Sequence, residues 1–251
     1  MTTGITAQVT ASFPQRLYLM QLSTATVPVP SGTLEMVSGC YLVETGDGKR
    51  ILIDSGYPPD LPPSAGMPPA ENQKNVIEHL ASLGLHPDDI DFLVCSHFDV
   101  DHAGRHDAFA RAELIVQRQH YTQARGGHPR FTAARAHWDH PALRYRLLDG
   151  DAELLPGLTL LETSGHVLGH QSVLVQLPKS GPILLAIDAV MMRRSFVPDR
   201  KASPFDEDEQ QLRASTQKLL ALVEREHVPL VLFGHDGEQW KTLKKAPAYY
   251  D

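Results

Sequence analysis

The sequence predicts an α/β protein in which several short strands deliver side chains to one shared site. Three observations carry this reading. Four apolar runs, at residues 92–94, 158–163, 182–187 and 229–233, are each followed within three residues by a histidine or an aspartate. Such strand-like runs alternate with stretches of helical periodicity. The 251 residues, 42% hydrophobic and 21% charged, suffice for one large domain with a sizeable core, and we expect residues 1–251 to form that single domain.

Taken in order, residues 16–22 read as a first strand. Residues 37–45 and 49–54 flank Gly46-Asp47-Gly48, a turn with glycines that tolerate positive φ, and so predict a hairpin. Residues 57–70 hold six prolines and form a loop. That loop either covers a site, with Leu61 and Met67 lining an apolar pocket, or serves as a surface connector or dimer contact, which leaves a homodimer open. Val76, Ile77, Leu80 and Leu83 give residues 75–83 the spacing of a helix with one buried face, which Gly84 ends. Residues 113–117 read as a strand and 118–125 as a short helix. The irregular stretch 126–149 interleaves His128, Phe131, His137, Trp138, His140 and Tyr145. It suits a lid, a pocket mouth or a subunit contact, with its histidines as hydrogen-bonding or surface groups rather than ligands. Residues 206–225 form the clearest helix, with Asp206 as N-cap and a stripe of Leu212, Leu219, Leu220, Leu222 and Val223 to cover a sheet. Trp240, Tyr249 and Tyr250 are expected to pack on the core.

The chemistry concentrates in Cys95-Ser96-His97-Phe98-Asp99-Val100-Asp101-His102-Ala103-Gly104. Four candidate metal ligands lie within six residues, directly after the strand-like Phe92-Leu93-Val94. A sheet can hold such a loop convergent, and Zn²⁺, Mn²⁺ or Fe²⁺ would accept its mixture of imidazole and carboxylate. A polar surface loop with two solvated histidines is the alternative. His166, Asp188 and His235, at the ends of the other three runs, are the candidate partners.

A net charge of -7 argues against nucleic acid and anionic membranes as partners. The chain has two cysteines, Cys40 and Cys95, each in an apolar run, which read as buried thiols of a reducing compartment. No run approaches the roughly 20 apolar residues that span a bilayer, and the N-terminus lacks a leader pattern, so we expect a cytoplasmic protein.

The sequence resembles the metallo-β-lactamase superfamily, and within it the N-acyl homoserine lactonase branch. The resemblance runs through Leu52-Ile53-Asp54-Ser55-Gly56, the ligand loop, Thr163-Ser164-Gly165-His166-Val167-Leu168-Gly169-His170-Gln171-Ser172, Ile187-Asp188-Ala189 and Gly234-His235-Asp236. It implies a four-layer αββα sandwich. It further implies one metal on His97, Asp99 and His166, a second on Asp101, His102 and His235, and Asp188 bridging them. Asp54 and His170 would support the site from behind. A hydroxide between the metals would attack the lactone of an N-acyl homoserine lactone, a quorum-quenching reaction, with Asp101 also holding or relaying the proton.

Two positions depart from the family pattern. Asp99 stands where the superfamily loop usually has a second histidine, so three carboxylates face two divalent cations. We expect a less positive centre, a weaker Lewis acid, and a preference shifted from Zn²⁺, the usual ion of the family, toward Mn²⁺ or Fe²⁺. Met191 stands where such lactonases commonly carry a carbonyl-polarising tyrosine; Tyr121, another group or the metal itself would take that role. Another lactone, a carboxyl ester, a thioester or an organophosphate is open to the same nucleophile. A di-iron redox protein is a second alternative, because flavodiiron proteins also carry a carboxylate at the place of Asp99. A non-catalytic metal-binding module is a third.

Overall fold

The computed structural model describes residues 12–29, 32–61, 71–72 and 74–251. Two sheets face each other across one apolar interior. The first contains β1 (Pro14–Val29), β2 (Gly32–Thr45), β3 (Arg50–Ile53), β4 (Glu71–Asn72), β5 (Phe92–Val94), β6 (Glu113–Gln117) and β7 (Arg144–Leu148), in the order β4-β1-β2-β3-β5-β6-β7. β1, β2 and β3 pair antiparallel, whereas β3, β5, β6 and β7 run parallel. Side chains alternate across these strands. Leu17, Leu19, Tyr41, Val43, Ile51 and Ile53 point between the sheets, while Tyr18, Met20, Leu42 and Leu52 point outward under a helix. Both faces are therefore covered, which is why these strands read as continuous apolar runs rather than as alternating ones.

The outer cover of this sheet is α1 (Val76–Ser82), which buries Val76 and Leu80. Asn75 caps it by accepting from the backbone N–H of Ile77 and Glu78, and Glu78 answers to the backbone of Asn75. Beyond β6 lie α2 (Arg118–Arg125) and α3 (Arg135–Trp138).

The second sheet has the order β12-β11-β10-β9-β8, built from β8 (Ala152–Leu155), β9 (Leu158–Glu162), β10 (Gln171–Leu177), β11 (Gly181–Ile187) and β12 (Leu230–Phe233). Its inner residues Leu160, Val173, Leu185 and Leu232 join the inter-sheet core, and Leu174 and Leu184 pack outward against Leu219 and Leu222 of α4 (Glu209–Arg225). The short α5 (Gly237–Trp240) buries Trp240, and Tyr249 packs its ring on Tyr18. The layers are thus helix, sheet, sheet, helix, the αββα arrangement. No helix among the described residues is long and apolar enough to cross a membrane.

Several expectations need correction. The first two strands are longer than expected and pair along their length: β1 continues past residue 22 to Val29, and β2 begins at Gly32 rather than at 37. Residues 126–149 are not a lid, for Phe131 and Trp138 are buried, Trp138 stacks on Phe98, and β7 emerges from the same stretch. The long helix starts at Glu209 with Asp208 as N-cap, which frees Asp206 for another task. Of the Pro-rich loop, Leu61 is described but Met67 lies outside the described residues.

Candidate metal centre

The fold brings the strand ends together. β5 runs parallel inside the first sheet, and the loop leaving its C-terminal end carries His97, Asp99, Asp101 and His102. In the second sheet β11 and β12 are parallel neighbours, so Asp188 and His235 leave the same edge side by side. His166 comes from the turn between β9 and β10. There Gly165 has φ of 135°, and a Cβ at that position would meet the backbone N of Leu212 at 2.2 Å. Glycine is required for the turn to pass so close to α4.

All seven residues singled out from the sequence meet in one cluster. His97, Asp99 and His166 form one group of potential ligands; Asp101, His102 and His235 form a second; His97, His102 and Asp188 form a third between them. Asp99 Oδ2 lies 3.3 Å from His97 Nε2 and 3.2 Å from His166 Nε2. Asp101 Oδ2 lies 3.5 Å from His102 Nε2 and 3.7 Å from His235 Nε2. Asp188 Oδ2 is central, at 3.0 Å from His235 Nε2, 3.3 Å from His166, 3.6 Å from His102 and 3.8 Å from His97. Tetrahedral ligands each about 2.1 Å from an ion are about 3.4 Å from one another, so these spacings are those of coordination edges.

The imidazoles are oriented for the same task. The Nδ1–H of His102 donates to Asp54 Oδ2 at 2.8 Å, that of His166 to Asp206 Oδ1 at 3.1 Å, and that of His235 to the Val37 carbonyl at 2.8 Å. The Ser96 hydroxyl donates to Asp54 at 2.7 Å and so accepts from His97 Nδ1 at 2.9 Å. Each Nδ1 thus carries a proton and each Nε2 faces the cluster, where, against the effect of burial, the carboxylates raise the pKa of His102 and His235 and a bound cation would take the place of the second proton. His97 Nε2, His102 Nε2 and Asp188 Oδ1 are buried without a hydrogen-bond partner among the described residues. Buried polar atoms are otherwise rarely orphaned, and a divalent cation would satisfy all three. The residues fit two such ions.

The supporting groups are as expected at Asp54 and His170. Asp54 accepts three hydrogen bonds in the interior from a left-handed backbone, φ 62°. His170 accepts from the backbone N–H of Asp188 at 3.3 Å, and its Nδ1 meets Thr163 Oγ1 at 2.9 Å. His120, unremarked in the sequence, ties the two ligand-bearing loops by accepting from Phe98 N and donating to Leu168 O, both at 2.8 Å. Burial holds its imidazole neutral, its pKa lowered to about 4.

Two further groups were not legible. Asp206, expected as a helix cap, fixes His166 instead. Arg130 reaches the cluster from the 3₁₀ turn Pro129–Phe131, its Nε 2.7 Å from Asp99 Oδ1 and its Nη2 2.5 Å from Asp99 Oδ2. Burial works against ionisation of Asp99, yet the hydrogen bonds of Arg130 and the neighbouring imidazoles keep its carboxyl well below the usual range. The charge counted from the motif alone therefore has neighbours outside it: the guanidinium faces Asp99, and Glu207 Oε1 lies 3.8 Å from its Nη1.

A cavity of about 540 Å³ opens over the cluster. Asp99, Asp101, His166, Asp188 and His235 form its floor, and Ala25, Val27 and Met36 of the first hairpin line it together with Val100, Met191, Pro204 and Phe205. Tyr121 is not at this wall; it packs against Tyr145 and Phe98. The phenol that lines the cavity is Tyr57, 3.3 Å from the Ser38 hydroxyl, which in turn donates to Asp101 Oδ2 at 3.3 Å. Burial raises the Tyr57 pKa, so the phenol stays protonated as a donor.

The profile of the metallo-beta-lactamase superfamily matches residues 35–235. An N-acyl homoserine lactonase of Bacillus sp is 34% identical over 245 residues, covering 93% of this chain and 95% of the relative. The crystal structure of a quorum-quenching N-acyl homoserine lactone hydrolase superposes with a TM-score of 0.84 at 31% identity, covering 95% of this chain and 99% of that one. An N-acyl homoserine lactone hydrolase solved with its product N-hexanoyl-L-homoserine at the catalytic metal center gives a TM-score of 0.82 at 29% identity, over 95% of this chain and 100% of that one. By this match, over a fold and a cluster of side chains already suited to metal, the chain belongs to the metallo-beta-lactamase superfamily.

Proposed function

We propose that this protein is a metal-dependent hydrolase that opens the lactone ring of N-acyl homoserine lactones, and so quenches quorum signals. The observation that carries the reading is a cavity whose floor is five of the seven clustered residues, Asp99, Asp101, His166, Asp188 and His235, and whose wall is largely apolar. Such a cavity suits a small polar ring on the floor and an acyl chain along the wall. The family relatives named above act on this class of substrate.

Two divalent ions held by His97, Asp99, His166, Asp101, His102, His235 and Asp188 would supply an activated water and Lewis-acid polarisation of the carbonyl. The chain itself handles position and protons. Asp101 is our catalytic residue: with Oδ2 facing the cluster and accepting from the Ser38 hydroxyl, the carboxylate lies on the cavity floor with its other oxygen free to hold the proton released by the attacking water and pass it to the departing alkoxide. Tyr57, protonated and on the same wall, would turn its O–H from Ser38 Oγ to the substrate in the absence of a tyrosine at 191. Asp54, Ser96, Asp206 and His170 hold the ligands in their metal-binding orientation.

We take the ions to be zinc, as the family suggests, with manganese or iron as the alternative that a carboxylate ligand favours. We further read the chain as one domain, since its ligands come from segments as far apart as His97 and His235, and as cytoplasmic, since Cys40 and Cys95 are free buried thiols. The test is acid release from N-acyl homoserine lactones of graded chain length, set against aryl esters and organophosphates, with protein loaded with one metal at a time. Metal-dependent turnover with kcat/KM highest for acyl lactones is expected. Faster turnover of esters or organophosphates would replace the substrate, and absence of turnover on all of them would remove the catalytic reading.

A further inference from the structure

Arg130 makes four hydrogen bonds at the edge of the cluster. Two form a fork on Asp99; a third runs from Nη1 to the Phe205 carbonyl at 2.7 Å, and Nη2 also meets His166 Nε2 at 2.8 Å. The fork and the carbonyl anchor the guanidinium without His166, so loss of the His166 contact to an ion would leave three of the four. Planar two-pronged pairing of this kind fixes both carboxylate oxygens, which a lysine cannot do.

We propose that Arg130 is the counter-charge of Asp99: its guanidinium turns an anionic side chain into an oxygen donor with the net charge of a neutral imidazole. The inference rests on the reading of His97, Asp99 and His166 as metal ligands. An unpaired carboxylate at 99 would add a full negative charge beside Asp188 and Asp101 and attract cations more strongly. Paired with the guanidinium, whose Nη1 also lies 3.8 Å from Glu207, it has its charge offset at the ligand oxygens themselves. Position 99 and position 130 then form a unit, in which histidine is compatible with a neutral residue at 130 and aspartate with arginine.

The test is a double-mutant cycle on metal affinity, measured with zinc and cobalt by competition against a chromophoric chelator, with total metal counted by elemental analysis. Arg130→Gln is expected to bind the ions at least tenfold more tightly, because the bare carboxylate attracts them. Arg130→Lys, which keeps the charge but not the fork, is expected to stay within about threefold of the wild type. Asp99→His should lose at least tenfold by leaving the guanidinium beside the ions without the Asp99 carboxylate, and Asp99→His/Arg130→Gln should recover to within about threefold. A structural prop would give the opposite sign in Arg130→Gln, namely weaker binding, and that result overturns the proposal. So does equal affinity in Asp99→His with and without Arg130. If the wild type holds two ions while the cycle shows no coupling, only this inference fails; if the wild type holds none, the metal-centre reading fails with it. Should Arg130→Gln not fold, the comparison of Asp99→His with Asp99→His/Arg130→Gln decides alone.

Discussion

Asp54→Asn replaces one oxygen by an amide and otherwise keeps shape, and its consequences follow from three distances. Asp54 accepts from Ser96 N at 2.8 Å through Oδ1, and from Ser96 Oγ at 2.7 Å and His102 Nδ1 at 2.8 Å through Oδ2. If the asparagine carbonyl keeps Ser96 N, its NH₂ faces His102 Nδ1, which must become an acceptor. The proton then moves to His102 Nε2, the atom that looks at Asp101 and Asp188. If the amide flips, two N–H groups oppose each other at Ser96, a buried mismatch. Either arrangement spoils a ligand, and changes of this kind behind a metal site cost about 10–100-fold in affinity, or about 1.4–2.7 kcal/mol. The loss of charge-assisted bonds should also cost about 2–4 kcal/mol of folding stability in the metal-free protein. Chelator competition gives the first number and urea unfolding of metal-stripped protein the second. Metal affinity within twofold of the wild type would refute the claim that Asp54 sets the tautomer of His102.

Three further outcomes are expected. Gly165→Ala places a Cβ 2.2 Å from the Leu212 backbone N and 2.3 Å from its Cα, at a φ of 135°, and should lower stability by about 2–4 kcal/mol in thermal unfolding while displacing His166. Asp206→Ala removes the acceptor of His166 Nδ1 and should weaken one of the two bound ions by about tenfold or more, seen as a biphasic chelator titration. Burial lowers the pKa of His120 to about 4, below the 6.5 of an unfolded histidine. The neutral form is therefore worth stability that is complete above pH 6.5 and lost as pH falls to about 4, about 3 kcal/mol in all. His120→Asn should flatten urea-derived stability over that window by up to about 1.4 kcal/mol per pH unit, and an unchanged slope would exclude His120 as the cause.

The candidate ligands were legible because chemistry and fold signals coincide there. His97, Asp99, Asp101 and His102 crowd six residues after a buried strand, and His166, Asp188 and His235 each follow a Leu-containing run that has no other reason to end on such a side chain. The inner sheet strands and α1, α2 and β6 were legible for the same reason, with apolar residues at a definite period. The hairpin tips were not: Thr24, Ala25, Thr26 and Pro28 bury little and alternate weakly, and the cross-strand pairing Ala25 with Met36 and Val27 with Leu34 is a long-range property. Residues 126–149 were legible in part: Arg130 lines the cavity, as a pocket mouth would, but aromatics in irregular backbone look alike whether they face solvent or a core. Trp138 is buried under Phe98, and only a fold that closes over the ligand loop could show it.

The charged surround of the cluster was hidden for a different reason. Counting carboxylates in the motif sees Asp99, Asp101 and Asp188 but neither Arg130 nor the Glu207 beside it. That arginine lies 31 residues from Asp99 in the chain, and Asp206 lies 40 from His166. Asp206 was hidden for a second reason: it stands among the acids Glu207, Asp208 and Glu209, any of which could cap a helix, and periodicity does not choose between them. The capping role falls to Asp208, whose side chain accepts from Gln211 N, and this places Asp206 two residues earlier, on the loop that also presents Phe205 to the cavity and its carbonyl to Arg130. One short segment therefore anchors His166 and Arg130 and shapes the substrate wall. A change at Phe205 that shifts this loop should alter metal affinity as well as acyl-chain preference.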